Sequence, residues 1–567
     1  KPSNRLDHTF TYNRTDVDLG EEGEYRLELI VSGDKLTKVD KSVKVPEVFY
    51  REYEEMRSFN NTIAQFASYA LFLIYILGGV VFGLFIMNRA GWVIWKMGIY
   101  WAIFIASLMT LSTLNFFPLS WLNYNTAISV NNFMMQGVVS VVMGFILMFV
   151  YLSLSFVAAE TLSRKAFPEH LKFWNLWSKN NAGTSEVVGQ TLGGYFLVAL
   201  DLFYVITFYM ITTTYFGWWT PSGPLFSPDM IATPFPWLSA IGMSLHAGFW
   251  EECLFRAVPI AGAALIGQKY GKKGLFIAIA MILQAVIFAA AHANYPSVPS
   301  YSRLIELLIP SLFWGFVYLR FGLLPVIISH FVYDVVWFSL PIFVSTSSDL
   351  IFDKIMVILL ALIPFWVILR SLVLNKFNFT AISKEIYNSS FSPIVKNIDL
   401  SQDETGEKIN IEKSKYHKFI LYGFFILGAV FIFVFPSKKP SILPLEVSRT
   451  EALDLADQYM SESGIELDES WTQMSSFSKA SIDSDDFYIW EKKGREGYEK
   501  LLGRYINFSS WRIRYAKFSG DINEKAEEYY VYLNHDGTLN QIGHKLPENK
   551  TGATLSKDQA RDLAIDY

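Results

Sequence analysis

Ten apolar stretches interrupt the chain, near residues 63–88, 97–117, 134–158, 187–216, 235–266, 274–294, 303–319, 322–344, 350–372 and 418–436. Most approach the ~20 residues that a helix needs to cross a hydrocarbon layer. The pattern predicts an all-α polytopic membrane core of about ten transmembrane helices over residues 61–436, with small α+β soluble modules at both ends. Residues 1–60 are polar. GEYRLELIV, a turn at Ser32-Gly33-Asp34 and KLTKVDKSVKV predict a hairpin within a partial module. Residues 374–417 read as a cytoplasmic loop, and residues 437–554 as a second soluble module.

The soluble ends share a repeat. VSRTEALDLADQY (447–459) recurs as LSKDQARDLAIDY (555–567), which predicts that a further, truncated module starts at 555. EEYYVYLNHDGTLNQIGHKLPE and the N-terminal GEYRLELIVSGDKLTKVDKSVKVPE both run strand, Gly/Asp turn, strand, Pro-Glu. Residues 1–50 therefore read as the tail of a similar module whose start is missing. The chain begins at Lys1 with neither an initiator Met nor a signal-peptide pattern, so upstream sequence is expected. Helix followed by hairpin resembles PepSY-type extracytoplasmic modules.

Composition agrees with a multispanning protein: 567 residues, 52% hydrophobic, 16% aromatic, formal charge −5. No nucleic acid partner is expected. The single cysteine, Cys253, excludes an intrachain disulfide and a cysteine metal cluster, and reads as a buried thiol. Lysine and arginine fall in alternate loops: Arg89 and Lys96, then Arg164, Lys165, Lys172 and Lys179, then Lys269, Lys272 and Lys273, then a long loop with Lys376, Lys384, Lys396, Lys408, Lys413 and Lys415. The intervening loops show little beyond Arg303 and Lys354. By the positive-inside rule both soluble ends are extracytoplasmic. Trp218-Trp219 on one side and Trp92, Trp95, Trp174 and Trp177 on the other suit interfacial belts.

Against that background the stretch HAGFWEECLFRAVPI (246–260) is unusual, because it sets Glu251, Glu252 and Arg256 inside an apolar run. Ionisable groups are costly there and mark function or mutual pairing. On an α-helix Glu252 and Arg256 share a face and can pair, while Glu251 points about 100° away and stays available as a general base. FAAAH places His292 at the end of its segment, and HFVYD places His330 and Asp334 four apart. These residues form a convergent polar set in three segments. His246, off the face of Glu251, reads as structural.

EECLFR, FAAAH and HFVYD resemble the EExxxR, FxxxH and HxxxN/D motifs of the CPBP family of intramembrane endopeptidases, which includes CAAX prenyl proteases and bacteriocin-immunity proteins. The resemblance covers residues from about 180 to 345. It implies that Glu251 acts with His292 to activate water, that Glu252 and Arg256 support the site, and that His330 stabilises the oxyanion beside Asp334. Asp at a position where prenyl-protease members often have Asn is a departure: an ionised carboxylate cannot donate to an oxyanion. Asp334 must then be protonated, orient His330, or ligate a metal. Glu251, His292, His330 and Asp334 are acceptable zinc ligands, but HExxH is absent, so the glutamate mechanism with no required cofactor is preferred and zinc is the alternative.

The expected activity is hydrolysis of a membrane-embedded or membrane-delivered peptide, lipidated or not, in a bacterial plasma membrane, with the modules offering a place for a peptide ligand. Two rivals use the same residues, a catalytically silent receptor or immunity protein and a proton-coupled transporter. Depth is a difficulty for convergence, since His292 falls near the outer end of its segment and His330 nearer the inner end of its own. Asn13, Asn60, Asn378, Asn388, Asn507 and Asn549 begin chance glycosylation sequons.

Overall fold

The structure, a computed structural model, describes residues 4–566 apart from 21–22, 220–226, 394–443, 479–483, 503–505 and 507. The apolar stretch 418–436, the sequon at Asn507 and most of the loop 374–417 lie outside the described residues. Six described helices are long and apolar enough to cross a membrane: α1 (Glu47–Arg89), α2 (Trp95–Ser120), α3 (Val130–Ala166), α4 (Ser185–Phe216), α7 (Lys273–Ala291) and α8 (Ser302–Phe321). The segment 235–266 is helical but interrupted, as α5 (Pro236–Glu251), a π turn (Glu252–Ala257) and α6 (Val258–Lys269). α9 (Leu323–Phe338) is shorter than a full span. The stretch 350–372 splits into α10 (Ile351–Ala361) and α11 (Ile363–Leu374), bent by 59°, and counts as a seventh span if taken as one. Pro364 explains the bend, because it cannot donate to Leu360 O and its ring crowds that carbonyl.

The expected count near ten therefore becomes six or seven among the described residues. Phe72, Leu73, Phe85, Val138, Leu147 and Ile282 face outward, as lipid contact requires. Trp174 and Trp177 do not join a lipid belt. They pack with Trp101 around Phe249, Trp101 lying 5.7 Å from Trp174 and 5.3 Å from Phe249. Arg164, read as a loop cation, is buried at the end of α3, paired with Glu160 and donating to Trp92 O at 2.7 Å. Asn60 is buried too, its amide on Ser300 O at 2.6 Å, so that sequon is a structural hydrogen bond.

β1 (Asp7–Arg14), β2 (Glu24–Ser32) and β3 (Lys35–Lys44) form an antiparallel sheet in that order. α12 (Arg449–Glu462) packs on a second antiparallel sheet of β4 (Trp471–Ser478), β5 (Ser510–Lys517), β6 (Glu528–Leu533) and β7 (Leu539–Lys545). α13 (Ser484–Leu501) follows β4. The repeat is visible in the helices that carry it. Ser448 and Glu451 close a capping box on α12, and Ser556 and Gln559 do so on α14 (Lys557–Asp566). Each helix buries two alanines four apart, Ala452 and Ala456 or Ala560 and Ala564.

α14 covers the N-terminal sheet, its alanines lying against Phe10, Leu29 and Val31. The helix expected to open a new module thus roofs the sheet expected to lack its helix. Ala560→Glu would set an unpaired charge in that contact. It should raise hydrogen exchange in β1–β3 by at least about tenfold while leaving β4–β7 unchanged. Unchanged exchange in β1–β3 would show that α14 does not hold the sheet.

The C-terminal unit shares one hydrophobic core with α5, α9 and α10, with Ile241, Val335 and Val357 continuous with Val447, Tyr488 and Trp511. Arg514 on β5 donates to Trp121 O, Leu122 O and Tyr124 O at 3.1, 3.0 and 2.7 Å, and to Glu528 at 2.8 Å. Burial alone would push the Glu528 carboxyl up. Hydrogen bonds from Lys545, Tyr530 and Arg514 outweigh it and hold that carboxyl below the ordinary glutamate value. The unit is fixed by charge as well as by apolar packing.

Candidate active site

The site begins with two close helix approaches. A Cβ on Gly248 of α5 would lie 2.9 Å from Phe331 N and 3.1 Å from its Cα, so glycine is what lets α5 and α9 meet. At Gly194 of α4 a Cβ would lie 2.8 Å from Ile328 Cβ and 2.9 Å from Pro325 O. Both contacts flank His330.

Just past Gly248, α5 widens into the π turn, where Val258 N–H reaches Cys253 O five residues back. Pro259 supplies a local reason: without an N–H it cannot bond Phe255 O, and an α-helical path would press its ring on that carbonyl. Such turns are frequent at functional sites. Every side chain of the turn is buried, including the Cys253 thiol.

Glu252 bridges two partners within this turn. Its Oε1 accepts from His330 Nδ1 at 2.8 Å, and its Oε2 lies 3.4 Å from Arg256 Nε. The glutamate and arginine side chains are fully shielded from solvent. A carboxylate partner makes Nδ1 the donor nitrogen of His330. The other nitrogen, Nε2, lies 3.5 Å from Asp334 Oδ2 and 3.7 Å from Glu251 Oε2. That oxygen of Glu251 has no hydrogen-bond partner among the described residues. Five of the expected residues, Glu251, Glu252, Arg256, His330 and Asp334, therefore form one run of contacts.

His292 stands beside this run. Its Nδ1 is bonded to Phe288 O at 2.8 Å, and its ring contacts are with Phe288 and Tyr295. Phe288 is the shared wall: its ring centre is 4.7 Å from His292, 6.3 Å from His330 and 4.1 Å from Arg256 Cζ. The expected mismatch in depth does not arise, because one ring stands between both histidines. His246 lies apart, bonded to Tyr151 at 2.5 Å and stacked on Trp250.

Two residues outside the motifs complete the surroundings. Trp314 on α8 lies 5.1 Å from the His330 ring and 5.1 Å from Arg256 Cζ. Asp201 on α4 accepts from Trp314 Nε1 at 3.0 Å. The sequence held a signal for Asp201, an acid in the middle of the apolar stretch 187–216. Arg303, read as a loop charge, pairs with buried Glu306 at 2.6 Å.

Zinc needs Glu251, His292, His330 and Asp334 to converge. Among the described residues no three His, Cys, Asp or Glu side chains are grouped to hold a metal ion. His330 bonds Glu252 and His292 bonds Phe288 O through Nδ1, which leaves Nε2 of each ring open, so these two bonds do not decide between water and a metal as its partner.

Residues 233–336 match the family model of Rce1-like type II CAAX prenyl endopeptidases. This segment is an Rce1-like domain. It holds Glu251, Glu252, Arg256, His292, His330 and Asp334, while α4 and the soluble units lie outside it. No curated protein and no solved structure matches the chain. The long apolar helices make the chain a multi-pass membrane protein, and the family that residues 233–336 match is a protease family.

Proposed function

We propose that the chain is an intramembrane endopeptidase of the glutamate type, acting on a membrane-embedded or membrane-delivered peptide that is lipidated or not. The observation that carries this reading is the run Glu251, His330, Glu252, Arg256 inside the Rce1-like domain. Glu251 takes a proton from a water, and the resulting hydroxide adds to the peptide carbonyl carbon. The Nε2–H of a doubly protonated His330, whose Nδ1–H stays on Glu252, and the protonated form of Asp334 offer donors to the oxyanion. Collapse of the adduct breaks the C–N bond, and Glu251 returns its proton to the leaving amine. Glu252 and Arg256 hold the His330 ring, and His292 stands ready to orient the water. No cofactor is needed on this path.

The lysine and arginine pattern supports reading both soluble units as extracytoplasmic, and on that reading, in a bacterial plasma membrane, PepSY-like modules suit a peptide ligand or substrate delivery. No observation favours the receptor or transporter rivals. The test is cleavage of a panel of transmembrane and prenylated CAAX peptides by the full chain in lipid discs, read by mass spectrometry. Scission at a discrete bond is expected, and an uncut panel would overturn the reading.

A further inference from the structure

Asp201 accepts two hydrogen bonds on one oxygen, Oδ2, from Trp314 Nε1 at 3.0 Å and from Ser329 Oγ at 3.1 Å. It is a buried carboxylate on α4, outside the Rce1-like match, and no part of the proposed reaction uses it. Both of its donors adjoin His330. Ser329 precedes it in the chain, and the Trp314 ring lies 5.1 Å away with 31° between planes. The indole is also one of two rings beside Arg256, 5.1 Å from its Cζ, the other being Phe288 at 4.1 Å, set at 72° to the indole. Arg256 Nη1 and Nη2 make no hydrogen bonds among the described residues, so these two rings are the guanidinium's neighbours beside Glu252.

A carboxylate in an apolar bundle is costly, and two neutral donors return only part of that cost. What the arrangement gains is geometric. An indole pinned through its N–H cannot slide along its plane, so the imidazole that packs against it at a tilt is braced on that side while Glu252 holds its Nδ1 edge. We infer that Asp201 is a positioning residue of the peptidase site: through Trp314 and Ser329 it keeps the His330 ring and the Arg256 guanidinium aligned with Glu251 and Glu252. The function half of this inference rests on the proposed peptidase reading, and the structural half does not.

The test compares Asp201→Asn, Asp201→Ala and wild type as full chains in lipid discs. Both hydrogen bonds fall on Oδ2, so an asparagine with its amide oxygen there keeps both, whereas alanine keeps neither. Cleavage by Asp201→Ala should fall about 10- to 100-fold in kcat with KM within about twofold, and Asp201→Asn should stay within about threefold of wild type. In protein with 15N-labelled histidine, the His330 ring resonances, assigned by their loss in His330→Gln, should move in Asp201→Ala and return in Asp201→Asn. A folded Asp201→Ala with wild-type kcat and an unmoved His330 spectrum overturns the inference. If Asp201→Ala does not fold, Ser329→Ala, which removes the other hydrogen bond to Asp201 Oδ2 and leaves the indole in place, must move the His330 resonances, and an unmoved spectrum there overturns it too. A wild type that cleaves nothing overturns the peptidase reading alone, because the His330 spectrum still decides whether Asp201 positions the ring.

Discussion

Glu251→Gln should abolish cleavage and leave the fold intact. The substitution keeps the size of the side chain and removes only its ability to take a proton. A positioned general base contributes about 10²- to 10⁴-fold, and a loss in that range is expected in kcat. Stability should hold or rise. Oε2 of Glu251 has no hydrogen-bond partner among the described residues, and its side chain retains 17% exposure, so the fold does not lean on that oxygen. Neutralising it also relieves repulsion from Glu252, the carboxylate that holds His330 Nδ1. The measurement is cleavage rate beside thermal unfolding in the same lipid discs. Activity within about twofold of wild type in a folded Glu251→Gln would remove Glu251 as base, since even the low end of the general-base range is larger.

The parts of the molecule legible in the sequence are those set by local chemistry. Apolar runs marked the helices, and the EECLFR, FAAAH and HFVYD residues meet around Phe288 as their shared placement in apolar segments suggests. The repeat was legible because a capping box and two alanines four apart are local features. What the sequence could not give is which sheet each repeat helix covers: α14 reaches Phe10 and Val31 across the whole chain. The π turn was hidden for a different reason. Pairing of Glu252 with Arg256 suits an α-helix or a widened turn, and only Pro259 hinted at the second. Trp174 and Trp177 show the limit of the belt rule, since a tryptophan at a helix end can stack inward as readily as face lipid.

Arg256→Met should be the most destabilising single change in the site. It leaves Glu252 with a full charge, no solvent and one remaining partner, His330 Nδ1. Removing one member of a buried ion pair costs about 3–5 kcal/mol, most of it from the charge left behind. Loss of the guanidinium over Phe288 and Trp314 adds a smaller term. The sign of the effect should reverse when the stranded charge is removed as well. Glu252→Gln still accepts from His330 through its amide oxygen, so the double variant Glu252→Gln/Arg256→Met should recover most of the lost stability while staying inactive. Denaturant unfolding of wild type, both singles and the double closes the cycle. A double variant no more stable than Arg256→Met would mean that the arginine acts through its ring stacking, and the pair would then be a packing element that happens to be charged. Recovery of stability without recovery of cleavage would separate the two tasks of Glu252, neutralising Arg256 inside the bilayer and holding His330 at the angle Glu251 requires.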